Sequence, residues 1–184
     1  MKIIDTAIPD VKEIAPQVFN DERGYFMESF NAKKFAAAIP GQWNFVQDNH
    51  SQSRHGVVRG LHYQIQHAQG KLVRAVEGEV FDVVVDMRKS SATFGASLSI
   101  VLSAKTNNML WVPPGFAHGF MVLSETATFL YKTTDYWAPE HERTLLWNDP
   151  QLNIAWPLSK LQHAPIVNAK DVAGTAFAHA ECFA

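Results

Sequence analysis

Turn-forming residues recur so often along this chain that few of its elements can be long. Gly, Pro, Asn or Ser interrupts it about every 8 to 12 residues, and the segments between are rich in Val, Ile, Phe, Tyr and Thr, the pattern of sandwiches and barrels. Residues 80–87 form the clearest strand: alternation puts Phe81, Val83, Val85 and Met87 on one face, with Asp82 and Asp86 on the other beside Val80 and Val84. Further strands are predicted at 24–30, 43–50, 56–64, 71–77, 96–103, 108–112, 118–123 and 127–135. Turns are marked by Glu77-Gly78, Asn107-Asn108 and Pro113-Pro114-Gly115. About eight to ten strands suffice for a jelly roll. Helices are accessory: one from Ala32 to Ile39, capped by Asn31 and stopped by Pro40-Gly41, and a short second one after Asn168.

The predicted fold is therefore all-β. At 184 residues, with 47% apolar and 18% charged residues, the chain is apolar enough to fold and of a length that predicts a single domain over 1–184. No linker, repeat or low-complexity tract divides it. A net charge of −2 gives no overall electrostatic case for nucleic acid or an anionic membrane. No stretch approaches the ~18 apolar residues of a membrane helix, and the expected location is cytoplasmic. The single cysteine, Cys182, excludes an intramolecular disulfide and a multi-cysteine zinc site.

Several polar and ionisable residues fall in segments that otherwise read as barrel strands: Arg23, Glu28, Gln47, Asn49, Arg59, His62, Lys71, Asp82, His118 and Tyr131. Burying such groups is costly unless they pair or meet a polar ligand, which favours a functional pocket. Spacing alone does not bring them together. A lone strand histidine is ordinarily a satisfied core or edge residue, a strand tyrosine a capped aromatic, and a strand-end lysine a solvated charge.

Six ordered motifs change that weighting. Phe19-Asn20-Asp21-Glu22-Arg23-Gly24-Tyr25-Phe26-Met27-Glu28, Gln47-Asp48-Asn49-His50-Ser51, Arg59-Gly60-Leu61-His62-Tyr63-Gln64, Gly70-Lys71-Leu72-Val73-Arg74, Pro113-Pro114-Gly115-Phe116-Ala117-His118-Gly119-Phe120 and Trp147-Asn148-Asp149-Pro150 follow one another along nearly the whole chain, with Tyr131-Lys132 and Ala169-Lys170-Asp171 beside them. Together they resemble the dTDP-4-dehydrorhamnose 3,5-epimerases of the cupin superfamily. The resemblance implies a cupin-type jelly roll, a dTDP-4-keto-6-deoxy sugar as substrate, a homodimer in which the N-terminal strands are exchanged, and no cofactor or metal. It implies His62 as base with Asp171 as its carboxylate partner, Lys71 as stabiliser of an enolate oxygen and Tyr131 as the acid on the opposite face. Arg23, Arg59 and Lys170 would meet the diphosphate. Phe19, Phe26, Tyr136 and Trp137 would offer aromatic faces to thymine, and Glu28, Gln47, Asp48, Asn49 and Glu142 polar contacts. His118 would face the sugar or the base side, with a structural histidine as its rival. Asp82 is either a ligand-side residue or the partner of a buried base, and the pattern does not decide.

Two departures from the family stand out. The loop Gln64 to Gly70 is about one residue short and lacks a common proline, and Trp137 stands where tyrosine is more frequent. Strict alternation also puts Arg59 and His62 on opposite faces of one strand, although both are wanted in the pocket. A bulge at Gly60 would resolve this; otherwise Arg59 serves a second site. The rivals are a metal-dependent cupin, a binding-only cupin and an epimerase inverting a single centre. The first is disfavoured because Gln64, not histidine, lies two residues after His62.

Overall fold

A computed structural model describes residues 1–184. Two six-stranded sheets face each other, antiparallel throughout except for one short strand. The first runs β1 (Lys2–Asp5), β2 (Lys12–Ala15), β10 (Met109–Val112), β7 (Lys71–Glu77), β12 (Thr126–Thr133) and β5 (Gln47–Arg54). The second runs β13 (Glu142–Thr144), β6 (Val57–Gln64), β11 (Phe116–Val122), β8 (Glu79–Asp86) and β9 (Ser97–Ser103), with β14 (Ile166–Val167) parallel to β6 as its sixth member. A separate hairpin joins β3 (Val18–Asp21) to β4 (Gly24–Met27). This is the all-β, cupin-type jelly roll that was expected, with more strands than the eight to ten read from turn spacing.

Strand phase builds the interior. Val73, Ala75, Val80, Val84, Leu110, Val112, Phe120 and Phe129 pack between the sheets. The alternation in β8 holds, but neither face is solvated. Val80, Asp82 and Val84 point inward, while Val83, Val85 and Met87 lie under the C-terminal segment with Trp147, Leu152 and Trp156. The outer face of the first sheet is covered by α1 (Ala32–Ala38), whose Phe35 meets Trp111 in an edge-on contact at 5.2 Å. Asn31 caps α1 by accepting from the Lys34 amide. Asn168 does the same at α2 (Ala169–Val172), accepting from the Asp171 amide at 2.7 Å. No helix is long and apolar enough to cross a membrane.

The expected irregularity in β6 is present. His118 of β11 pairs with His62, yet Phe120 pairs with Arg59, so Gly119 on one strand opposes two residues, Gly60 and Leu61, on the other. The extra residue is accommodated at Gly60, which has φ +110 and whose added Cβ would come within 2.7 Å of Gly119 Cα and 2.8 Å of the His118 carbonyl. Only glycine fits both the dihedral and the space. As a result Arg59 and His62 lie on the same, inner side, while Leu61 and Tyr63 face outward into the second core.

Candidate active site

His62 and Tyr131 enter one cleft from opposite sheets. The cleft has a mouth of ≈ 300 Å³ and a deeper part of ≈ 160 Å³, and His62, Lys71 and Tyr131 line both. His62 comes from β6, whereas Lys71 (β7) and Tyr131 (β12) stand on the inner face of the facing sheet.

The His62 Nε2 lies 2.6 Å from Asp171 Oδ1. Asp171 is fully buried and accepts a second bond, 3.0 Å, from the Gly60 amide through Oδ2. The same bulge that turns His62 inward thus supplies a donor to its partner. Burial pushes the Asp171 carboxyl up, but the bond and charge of His62, the Gly60 amide and Lys170 outweigh it and hold the group below its ordinary range. An ionised Asp171 accepts a proton bond from Nε2, which leaves the lone pair on Nδ1. That is the arrangement a general base needs.

Lys71 is buried, and its ammonium makes one long bond, 3.4 Å, to the His62 carbonyl. Burial lowers its pKa to about 8, with Glu142 and Asp82 partly opposing. At neutral pH it still carries a proton, in surroundings where a charge-assisted bond to an anionic oxygen is strong. Tyr131 is raised, foremost by burial and then by Glu142, with Arg59 opposing. Its phenol therefore stays neutral and able to donate.

Behind these lies a second histidine–carboxylate pair. His118 Nε2 is 2.9 and 3.0 Å from the two oxygens of Asp82, both residues being buried. Burial pushes the Asp82 carboxyl up, and His118 and Lys71 pull it back. Of the two readings left open for Asp82, partner of a buried histidine is the one realised.

The other expected site residues divide by location. Arg59, whose Nε donates to Ser53 Oγ at 2.9 Å, lines the deeper part. Gln47, Asn49, Trp137 and Glu142 line the mouth. Gln47 donates to Asn49 at 2.9 Å and accepts from the Trp137 amide at 3.1 Å. Lys170, next to Asp171, pairs with Glu142. Tyr136 is exposed beside Trp137, outside the lining. Asp48 faces the other way from Gln47 and Asn49 and is paired with Lys132 on the outer surface. Within one chain the structure does not bring Phe19, Arg23, Phe26 and Glu28 to the cleft. Phe19 and Phe26 are 54% and 70% exposed on the β3–β4 hairpin, Arg23 is paired with Asp21, and Glu28 is bound to Asn31 and Lys34. Phe19, Phe26 and Glu28 line a groove on the far face of the first sheet.

Ser51, Gln64, Gln69 and Asn168 also line the cleft without having been singled out as site residues. Ser51 follows Gln47 and Asn49 in strand phase, so period-2 reading could have found it. Asn168 was legible only as a helix cap. No three His, Cys, Asp or Glu side chains gather into a group that could hold a metal ion.

Residues 5–179 match the family model described as dTDP-4-dehydrorhamnose 3,5-epimerase. The chain is 59% identical over 183 residues to the curated protein of that name from Pseudomonas aeruginosa, covering 100% of this chain and 99% of that one. Its structure is similar to that of the dTDP-6-deoxy-D-glucose-3,5-epimerase of Legionella pneumophila in complex with dTDP-4-keto-L-rhamnose, with a TM-score of 0.94 and 47% identity over 98% of this chain and 94% of that one. It is also similar to ChmJ, a 3'-monoepimerase from Streptomyces bikiniensis in complex with dTDP-quinovose, with a TM-score of 0.87 and 30% identity over 95% and 87% of the two chains.

Proposed function

The chain belongs to the dTDP-4-dehydrorhamnose 3,5-epimerase family, and from that premise we propose that it is an isomerase converting dTDP-4-dehydro-6-deoxy-D-glucose to dTDP-4-dehydro-L-rhamnose. The observation that supports this is that His62 and Tyr131 stand on opposite walls of one cleft, with the buried Lys71 ammonium between the sheets.

The C4 ketone acidifies the protons on C3 and C5. His62 Nδ1 takes one of them, and the electron pair moves onto the C4 oxygen as an enolate. The imidazolium so formed is stabilised by Asp171, and a positioned base of this kind is worth about 10²- to 10⁴-fold in rate. Lys71 donates to the enolate oxygen. Tyr131, on the facing wall, gives a proton to the same carbon from the other side, so the centre is inverted and the ketone re-forms. Once His62 has released its proton to solvent and Tyr131 has regained one from it, repeating the sequence at the second carbon completes the double inversion.

For binding, Arg59 and Lys170 are suited to the diphosphate and Trp137 to the base, with Gln47, Asn49 and Glu142 supplying polar contacts. Arg23, Phe19, Phe26 and Glu28 would act from a second copy in a homodimer, the exposed hairpin of one subunit completing its neighbour's site. The hairpin's aromatic faces, left in solvent by its own chain, support that reading.

The test is proton NMR of dTDP-4-dehydro-6-deoxy-D-glucose with chelator-treated protein in D2O. Deuterium entering at both C3 and C5 is the expected result. Entry at one carbon would reassign the chain to single-centre epimerisation, as ChmJ is described, and entry at neither would remove the proposal.

A further inference from the structure

We propose that Gln64 is a positioning residue that holds Trp137 as a preformed stacking platform at a set distance from the base His62. The proposal rests on the reading that Trp137 meets the nucleotide base.

Trp137 is 59% exposed, so packing of its indole does not determine where the ring sits. Its backbone does. Gln64, 5% exposed, accepts from the Ala138 amide at 2.9 Å through Oε1 and donates through Nε2 to the carbonyls of Tyr136, 3.2 Å, and His67, 2.7 Å. Gln47 Oε1 accepts from the intervening Trp137 amide. Peptide groups on both sides of the indole are therefore gripped by glutamine side chains that grow out of strands. Gln69 adds a bond to the Asp135 carbonyl at 2.9 Å.

Every hydrogen-bonding position that matters on the Gln64 amide is used: two donors to two carbonyls, one acceptor to one amide. An apolar side chain would leave these partners without the bonds Gln64 supplies, and a carboxylate would set negative charge against two carbonyl oxygens. Gln64 is also two residues from His62 on the inner face of β6. One strand thus carries both the base and the clamp on the platform, with no flexible segment between them. Removing the clamp frees the platform while leaving the His62–Asp171 pair, Lys71 and Tyr131 untouched. The deficit should then fall on ligand binding.

Gln64→Glu and Gln64→Met are compared with wild type and Trp137→Ala by steady-state kinetics and by calorimetric titration with dTDP. The expected result is a rise of ~10-fold in KM and in the dTDP Kd, the scale of one lost hydrogen bond, with kcat within about 2-fold of wild type. In a Trp137→Ala background the same substitutions should add less than about 2-fold, because the clamp then has nothing to position. Gln64→Met keeps volume and serves if the charged variant does not fold. Weakened dTDP binding in Trp137→Ala with unchanged binding in both Gln64 variants would overturn the clamp alone. Unchanged binding in Trp137→Ala would overturn the stacking reading and the clamp with it. A fall in kcat at unchanged KM would overturn the positioning role.

Discussion

The cleft between the sheets and the β3–β4 hairpin are opposite kinds of surface. In the cleft, His62, His118, Asp82, Asp171, Gln47 and Gln64 are all hydrogen-bonded within the chain, and no buried side-chain nitrogen or oxygen lacks a partner. On the hairpin, Phe19, Tyr25 and Phe26 face solvent with no core beneath them. Groups that move protons must be preorganised, so one chain assembles them completely. Groups that only bind can come from elsewhere, and the hairpin residues proposed for binding stand outside the cleft of their own chain.

The sharpest way to break the contrast is at His62. His62→Ala should lower turnover by about 10²- to 10⁴-fold with the fold and dTDP binding near wild type; activity within a few fold would remove His62 as base. Tyr131→Phe should have a comparable effect on product but a smaller one on solvent exchange, since deprotonation survives when the opposite-face donor is lost. NMR in D2O would show exchange outlasting epimerisation, and equal loss of both would weaken the acid assignment.

Lys71 separates stability from catalysis. Its folded pKa of about 8 lies below the ordinary 10.5, so the unfolded chain holds the proton more tightly. The buried ammonium therefore opposes folding below about pH 8, and the opposition fades as pH rises from about 8 to 10.5. Lys71→Met should raise stability at pH 7 by up to about 3 kcal/mol, at about 1.4 kcal/mol per tenfold in proton affinity, with the gain vanishing near pH 10.5 in urea melts. Wild-type kcat/KM should decline with an apparent pKa near 8, and that limb should be absent from the residual activity of Lys71→Met. A gain in stability that persisted at high pH would contradict the buried charge.

The hairpin is tested by mixing. Arg23→Ala should raise KM, and His62→Ala should be inert. If the hairpin acts on the neighbouring subunit, co-refolding the two variants creates sites with an intact His62 and an intact Arg23, and low-KM turnover returns. Failure to return would place Arg23 with its own chain's cleft or nowhere near it. The smallest effect should be at Asn31→Ala, which removes the cap of α1 and should cost about 1 kcal/mol in a melt without changing kcat.

Much of this was legible because strand phase is local. The β8 alternation, the caps at Asn31 and Asn168 and the bulge at Gly60 all follow from residues within a few positions of one another. Asp48 lay between Gln47 and Asn49, and phase alone would have put it outside. Four-residue strands such as β1 and β2 are too short to show a period and owe their conformation to pairing with each other and with β10. The Asp82–His118 pair depends on β8 and β11 lying in one register, which no local pattern records. Gln64 was read as a missing metal ligand because its partners, His67, Tyr136 and Ala138, belong to two loops whose meeting is a tertiary fact.

The extra residue at Gly60 has a consequence for how β6 tolerates change. It acts as a parity switch: residues before it point inward at odd numbers, those after it at even ones. A one-residue deletion at 60 would therefore leave Arg59 and His62 two positions apart and both still facing inward, its main cost being the Gly60 amide that donates to Asp171. Deletion at 63, by contrast, would turn Gln64 out of the cleft. In an indel scan of this strand, the damage to strand phase should be smaller for deletion at 60 than for deletion at 63.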